Sequence, residues 1–304
     1  MAGMSGAGAL PASSPRHRLA GIALMIGAVA CFSCLDSTAK ALTRTIDPLQ
    51  IAAVRYIGSF LFVGAFFNPW SRAGILRTHR LGLQCGRALC LALATICAFS
   101  ALGSMRLTQV TSITFTTPLI VTLLAGPILG ERLGVARLLA VLAGFAGVLL
   151  VTRPTGGDLH AAALLAVAAA CLNALYSIAT RILAGQDSAE TTMFYTGLVG
   201  AALFLPVLPF VWINPPTALG WILLPALGAF GALGHWLLIL AHRKAPASVI
   251  APFFYTQLIW AGLLGYLVFG DAPDGWTLAG GAIVIASGLF LVARERAGPA
   301  RSGR

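Results

Sequence analysis

Charge is scarce in this sequence. Of 304 residues only 10% are Asp, Glu, Lys or Arg, against about 25% in a typical soluble domain. So few charges cannot clothe a water-facing surface, which excludes an ordinary soluble globular domain. Catalytic and nucleotide signatures are missing too. There is no glycine-rich loop ending in Gly-Lys-Ser/Thr, so no ATP hydrolysis is expected. No HExxH or GxSxG occurs, and of the five histidines only His235 lies well inside an apolar run. A membrane-embedded enzyme is therefore a distant alternative. A non-transporting receptor has no soluble domain through which to signal. No metal or cofactor is expected.

What the chain has in excess is apolar residue, 58% of the total. The net charge of +11 forms no basic face or nucleic-acid motif, and no nucleic-acid partner is expected. The six cysteines all fall inside apolar segments. Cys31 and Cys34 form a CxxC, but with no second pair or nearby His they read as small hydrophobes.

A spanning helix needs about 20 mostly apolar residues. Ten stretches qualify, at 19–42, 48–67, 81–103, 107–129, 135–152, 159–181, 191–213, 218–241, 248–270 and 276–293. Turn signals such as Asp47-Pro48, Arg153-Pro154 and Asn214-Pro215-Pro216 separate them. Residues 1–18, rich in Gly, Ala, Ser and Pro, are expected to be a disordered cytoplasmic tail, and 295–304 a second one. With the N-terminus inside, fourteen Lys and Arg fall on the cytoplasmic side and four, Lys40, Arg44, Arg106 and Arg153, outside. That bias predicts both termini in the cytoplasm. Trp70, Trp212, Trp221 and Trp276 fall near span ends, the place of an aromatic belt.

The second half echoes the first at an offset of about 140 residues. Gly130-Glu131 matches Gly270-Asp271, Phe115-Thr116 matches Tyr255-Thr256, and Lys40 matches Arg181. Five spans per copy means that the second copy enters from the opposite side. The expected fold is an all-α membrane protein of ten transmembrane helices in two inverted five-helix repeats, at 19–153 and 159–294, a build common among secondary transporters.

The stretch from Thr116 through Gly130-Glu131 to Gly147 resembles the EamA domain of the drug/metabolite transporter superfamily. So does "APFFYTQLIWAGLLGYLVFGDAPDGWTLAGGAIVIASGLFLV", with Asp271 where the family usually has Glu. The resemblance implies a ten-helix bacterial inner-membrane carrier working by alternating access. "CLDSTAKAL" with Arg55-Tyr56 is similar to a subset that includes carriers of riboflavin, S-adenosylmethionine and opine-type metallophores. The leading expectation is export of an amino-acid-like or opine-metallophore-like metabolite, with a proton or counter-ion as the coupling partner. The alternative is uptake of riboflavin, S-adenosylmethionine or a similar compound. The oligomeric state is left open.

Charges within a span are costly, about 2.5–3.5 kcal/mol on insertion scales. Asp36 and Arg55 each sit roughly 10 Å deep by the helical rise, and Asp36 and Lys40 share a helix face. Asp36, Lys40 and Arg55 are expected to form one cluster, either binding a zwitterion or relaying a proton, or else pinning two spans together. Arg87 is expected to attract an anionic group or, in the slightly favoured reading, to snorkel to the cytoplasmic side. Phe115, Thr116, Tyr255, Thr256 and Gln257 are pocket candidates beside Pro118 and Pro252, where proline frees a backbone carbonyl. Phe115-Thr116 and Tyr255-Thr256 should face each other across the pseudo-twofold axis. Asn173 and Tyr176 are weaker candidates. In the plainer reading these hydroxyls glue helices. Glu131 and Asp271 read first as helix-end charges.

Overall fold

A computed structural model describes residues 15–67, 73–129, 135–152, 159–183, 186–245, 250 and 253–297. Those residues are helical, joined by short turns. The order is α1 (Pro15–Leu42), α2 (Pro48–Phe67), a short 3-10 turn (Ala73–Leu76), α3 (Leu81–Ser104), α4 (Leu107–Thr114), α5 (Thr117–Leu129) and α6 (Val135–Thr152). Then come α7 (Leu159–Leu183), α8 (Ala189–Phe204), α9 (Leu208–Val211), α10 (Ala218–Lys244), α11 (Gln257–Phe269) and α12 (Gly275–Ala297). Among the described residues, seven helical stretches are long and apolar enough to cross a membrane. The segments α6, α8 and α11 are apolar but shorter.

Three differences from the sequence-based boundaries have local causes. First, α1 begins at Pro15, inside the segment expected to be a tail; proline suits a first helical turn because it has no N–H to lose there. Second, the expected span 107–129 is interrupted at Phe115-Thr116, and the span 248–270 at Tyr255-Thr256. Pro118, near the start of α5, cannot donate back to residue 114, so the backbone yields just before it. Third, the expected span 191–213 ends as regular helix at Phe204, because Pro206 and then Pro209 follow within the next five residues. Residues 1–14, Arg153-Pro154, Gly130-Glu131, Trp70 and Pro252 fall outside the described residues.

The surface is that of a lipid-embedded bundle. Leu139, Leu164, Ile222, Ile259 and Leu267 are each more than half exposed, a pattern that water would penalise and a bilayer does not. Inside, packing relies on small residues: Ala28, Ala39, Ala52, Ala88, Ala92 and Ala166 are fully buried. Small side chains let helix backbones approach, the usual route to helix association in lipid. The closest approach lies between α6 and α12. A Cβ built on Gly147 would lie 2.7 Å from the Gly280 carbonyl oxygen, and one on Gly280 only 2.4 Å from that of Gly147. Gly58 of α2 and Gly228 of α10 meet similarly.

Neighbour relations are reciprocal. α1 lies along α10 as α3 lies along α7, while α2 packs on α8, α4 on α11 and α6 on α12. Two polar clasps join the connecting segments at the helix ends. Gln50, fully buried, donates to the Ile213 carbonyl at 2.9 Å and accepts from its N–H at 2.7 Å. Asp187, between α7 and α8, accepts from Thr78, from the His79 N–H at 3.1 Å and from Gln84 at 2.8 Å. Partial desolvation of the Asp187 carboxyl works against its ionisation. The hydrogen bonds from Thr78, Gln84 and His79 outweigh it and pull the pKa down to about 2.

Candidate functional site

A cavity opens where α2 and α3 meet α7, α8 and α10. Arg55, Tyr56 and Ser59 line it from α2, Arg87 from α3, Tyr176 from α7, Thr192, Thr196 and Gly197 from α8, and His235 from α10. Its water-accessible space is about 70 Å³, small beside the roughly 300–1,000 Å³ of ordinary ligand sites. A metabolite therefore needs the helices to part before it enters.

Two arginines dominate the lining. Arg55 is 9% exposed and Arg87 1%. The Arg55 Nη1 donates to Thr95 Oγ1 at 2.6 Å, and Tyr56 shares that hydroxyl at 3.1 Å. The Thr95 hydroxyl also reaches the Leu91 carbonyl at 2.9 Å, so α3 fixes the Arg55 rotamer. The guanidinium lies 4.9 Å over the Tyr56 ring. Arg87 donates to the Thr192 carbonyl at 2.7 Å, to Thr180 Oγ1 at 3.3 Å and to Thr196 Oγ1. Its guanidinium lies 4.9 Å over the Tyr176 ring. Arg87 thus turns into the packing between α3, α7 and α8 and does not snorkel outward as the sequence favoured. The reason is a set of ready acceptors, two threonine hydroxyls and one helix carbonyl, within reach of a side chain that the bilayer would otherwise strand. Among the described residues, the Nε of each arginine has no hydrogen-bond partner.

The expected cluster of Asp36, Lys40 and Arg55 is taken apart. Lys40 turns away from Asp36 and pairs with Asp271 at 2.7 Å, also donating to the Met105 carbonyl at 3.0 Å. Asp36 accepts from Gln257 Nε2 at 3.4 Å, and Ser33 reaches the Gln257 carbonyl at 3.4 Å. Asp36 and Arg55 make no direct ion pair. The i,i+4 spacing placed Asp36 and Lys40 on one face correctly, but Asp271 and the Met105 carbonyl take the ammonium, and only tertiary packing brings them there.

At the helix breaks, the Phe115 and Tyr255 rings meet edge to face, 5.2 Å apart at 88°. Both are buried, and the adjacent hydroxyls are committed locally: Thr116 donates to Ile113 and Thr256 to Phe253 at 2.6 Å each. Tyr255 and Thr256 also border a cleft of about 640 Å³ with Thr108, Gly262, Thr277 and Ile285, but its lining is largely apolar and suits a lipid chain better than a polar solute. Phe115, Thr116, Tyr255, Thr256 and Gln257 do not line the arginine cavity, nor does Asn173, which is half-buried on α7. Of the sequence candidates the cavity gathers Arg55, Arg87 and Tyr176. It adds Tyr56, Ser59, Thr192, Thr196 and His235. Thr192 and Thr196, one turn apart in an apolar span, and His235, alone inside its own, were the available signals. Among the described residues no group of three or more His, Cys, Asp or Glu could hold a metal ion.

The model of the EamA-like transporter family matches residues 19–153 and again residues 160–294. The chain belongs to that family. Curated relatives align over nearly the full length. A riboflavin transporter of Vibrio cholerae is 29% identical over 93% of this chain and 96% of its own. An S-adenosylmethionine uptake transporter of Rickettsia bellii is 27% identical over 91% and 94%. The pseudopaline exporter CntI of Pseudomonas aeruginosa is 25% identical over 89% and 95%. A solved protein crystal structure superposes with a TM-score of 0.62 at 21% identity, covering 91% of this chain and 99% of that one, a likeness of fold. The family and the named relatives are transporters. The chain sits in a membrane and handles a small molecule.

Proposed function

We propose that this EamA-like protein is a secondary carrier for a small polar or zwitterionic metabolite, which binds in the arginine cavity between its two halves. The observation that carries this reading is the composition of the cavity wall. Arg55 and Arg87 come from residues 19–153, and Tyr176, Thr192, Thr196 and His235 from residues 160–294. A site shared by two halves is one that rocking of one half against the other can expose first to one side and then to the other.

The architecture proposed with it is ten spans in two inverted repeats, with α4–α5 forming the fourth span and α11 the larger part of the ninth. Reciprocal packing supports this: exchanging the halves turns the α1–α10 pair into the α7–α3 pair and leaves α2–α8, α4–α11 and α6–α12 as themselves. The paired breaks at Phe115-Thr116 and Tyr255-Thr256 fit the same exchange, as do Lys40 with Asp271 on one side and the matching Arg181 on the other. The positive-inside count supports the proposal of both termini in the cytoplasm of a bacterial cell, with the protein in the inner membrane.

For direction, export of an amino-acid-like or opine-metallophore-like compound is the first reading, and two guanidiniums facing a cavity favour it because such compounds carry carboxylates. Uptake of a riboflavin-like compound is the second, favoured by the name of the Vibrio cholerae relative. Metabolite profiling of cells with and without the gene, inside and outside, separates them. Export predicts one compound retained inside the deletion strain. Uptake predicts that the compound stays in the medium. No change in either compartment would refute transport of a cellular metabolite.

A further inference from the structure

We infer that the arginine cavity selects an anionic substrate, with a carboxylate seated on the Arg55 guanidinium and the Arg87 charge beside it, and rejects cations. The inference rests on that cavity being the substrate site, and goes beyond it by naming the charge of the ligand. Four observations converge.

The first is charge balance. Arg55 and Arg87 each bring a cationic guanidinium to the cavity. The partners of their Nη groups, Thr95, Thr180, Thr192 and Thr196, are all neutral, and neither arginine forms an ion pair among the described residues. The cavity wall holds no acidic side chain. Asp36 acts on Arg55 through space, but its hydrogen bond is to Gln257. Positive charge is therefore in excess where water is scarce, and an uncompensated buried charge is expensive.

The second is hydrogen-bond supply. Among the described residues, each guanidinium leaves its Nε without a partner, and both side chains are at least nine-tenths buried. Nε and an adjacent Nη form the edge that grips a carboxylate through two parallel bonds. In Arg55 that edge is uncommitted, because its bond to Thr95 comes from the other Nη, whereas the Arg87 Nη2 already donates to Thr192 and Thr196. Arg55 therefore holds the one bidentate seat, and Arg87 adds positive charge beside it.

The third is rigidity. Thr95 and Tyr56 fix Arg55, while Thr180, Thr192, Thr196 and the Tyr176 ring fix Arg87. A guanidinium held in place before the ligand arrives loses less entropy on binding.

The fourth concerns the rings. The Tyr56 ring has Arg55 against it and stacks on Phe204 at 5.5 Å and 27°. The Tyr176 ring carries Arg87. The aromatic surface of the cavity is thus taken up by guanidiniums and by Phe204, and offers little to a flat neutral ring system. A sulfonium or other cation would meet two like charges.

The test uses the full-length protein in lipid nanodiscs and isothermal titration with three probes. These are 2,2′-iminodipropionate (an opine with two carboxylates), its diamide of the same shape, and S-adenosylmethionine. The dicarboxylate is expected to bind at least roughly tenfold more tightly than either other probe. Arg55→Gln or Arg87→Gln should weaken it by roughly ten- to hundredfold, the worth of a charge-assisted bond. If the diamide or S-adenosylmethionine binds as well as the dicarboxylate, the charge class is wrong. The cavity reading then survives provided that the arginine variants weaken that binding. If the dicarboxylate binds wild type and both variants equally, the site lies elsewhere and both proposals fall. If none of the three binds at concentrations up to about 10 mM, in the range of the weakest specific complexes, the carboxylate assignment is overturned. Should a variant fail to fold, the three-probe comparison on wild type decides alone.

Discussion

Lys40 and Asp271 lie 2.7 Å apart, tying the end of α1 to the segment between α11 and α12 across 231 positions of sequence. Lys40 had a nearer carboxylate along its own helix in Asp36, and packing took it elsewhere. The side chains are 11% and 29% exposed, so water screens the pair only in part. A double-mutant cycle with Lys40→Met and Asp271→Asn should show a coupling of about 1 kcal/mol or less in unfolding stability, in the range of partly exposed pairs. The same cycle on Lys40 and Asp36 should show a coupling near zero. A large Lys40–Asp36 coupling would restore the same-helix cluster.

Asp187 provides a pH signature outside the spans. Its folded pKa, about 2, lies below the ordinary 3.8. A depressed carboxylate stabilises the fold above its unfolded pKa and loses that contribution as pH falls through the folded one. Melting temperature should therefore drop between about pH 4 and pH 2 as Thr78, His79 and Gln84 lose their acceptor. Asp187→Asn should melt lower near neutrality and lack that part of the acid dependence. An unaltered acid profile in the variant would contradict the clasp.

Gly147 and Gly280 set the α6–α12 crossing. Gly147→Ala drives a Cβ to 2.7 Å from a backbone oxygen and should cost roughly 1–3 kcal/mol, as overpacking does. Gly86→Ala, on an open face of α3 with nothing within 4 Å, should leave stability almost unchanged. Thermal unfolding in detergent compares the two, and equal effects would remove the close crossing from the account.

How much of this was legible in the sequence follows from what each feature depends on. Spans depend on composition, and the seven helical stretches long and apolar enough to cross a membrane among the described residues lie on apolar runs of the sequence. The interruption at Phe115-Thr116 was signalled by Pro118, and its echo at Tyr255-Thr256 by the repeat. The meeting of those two rings followed from the same symmetry. The route taken by Lys40 was not legible, because a spacing rule along one helix says nothing about a carboxylate 231 residues away. Arg87 was misjudged for a related reason: Thr180, Thr192 and Thr196 belong to other helices, and their convergence on one guanidinium is a product of the α3–α7–α8 packing. His235 stood out as a lone histidine inside a span, but nothing in one dimension tied it to Arg55.

Topology can be read with reporters. Fusions that are active only in the cytoplasm should work at both ends of the chain. Reporters active only outside should work in the 43–47 and 214–217 connections, where the charge count puts the exterior. Termini in opposite compartments would require an odd number of spans and would break the inverted repeat.

The most direct test of the central claim, that solute passes through the cavity bounded by Arg55 and Arg87, is metabolite profiling of a deletion strain complemented with wild type, Arg55→Gln or Arg87→Gln at matched membrane levels. The account predicts that wild type restores the distribution of one metabolite across the membrane and that each arginine variant leaves it as in the deletion. Restoration by both variants to the wild-type level would contradict it.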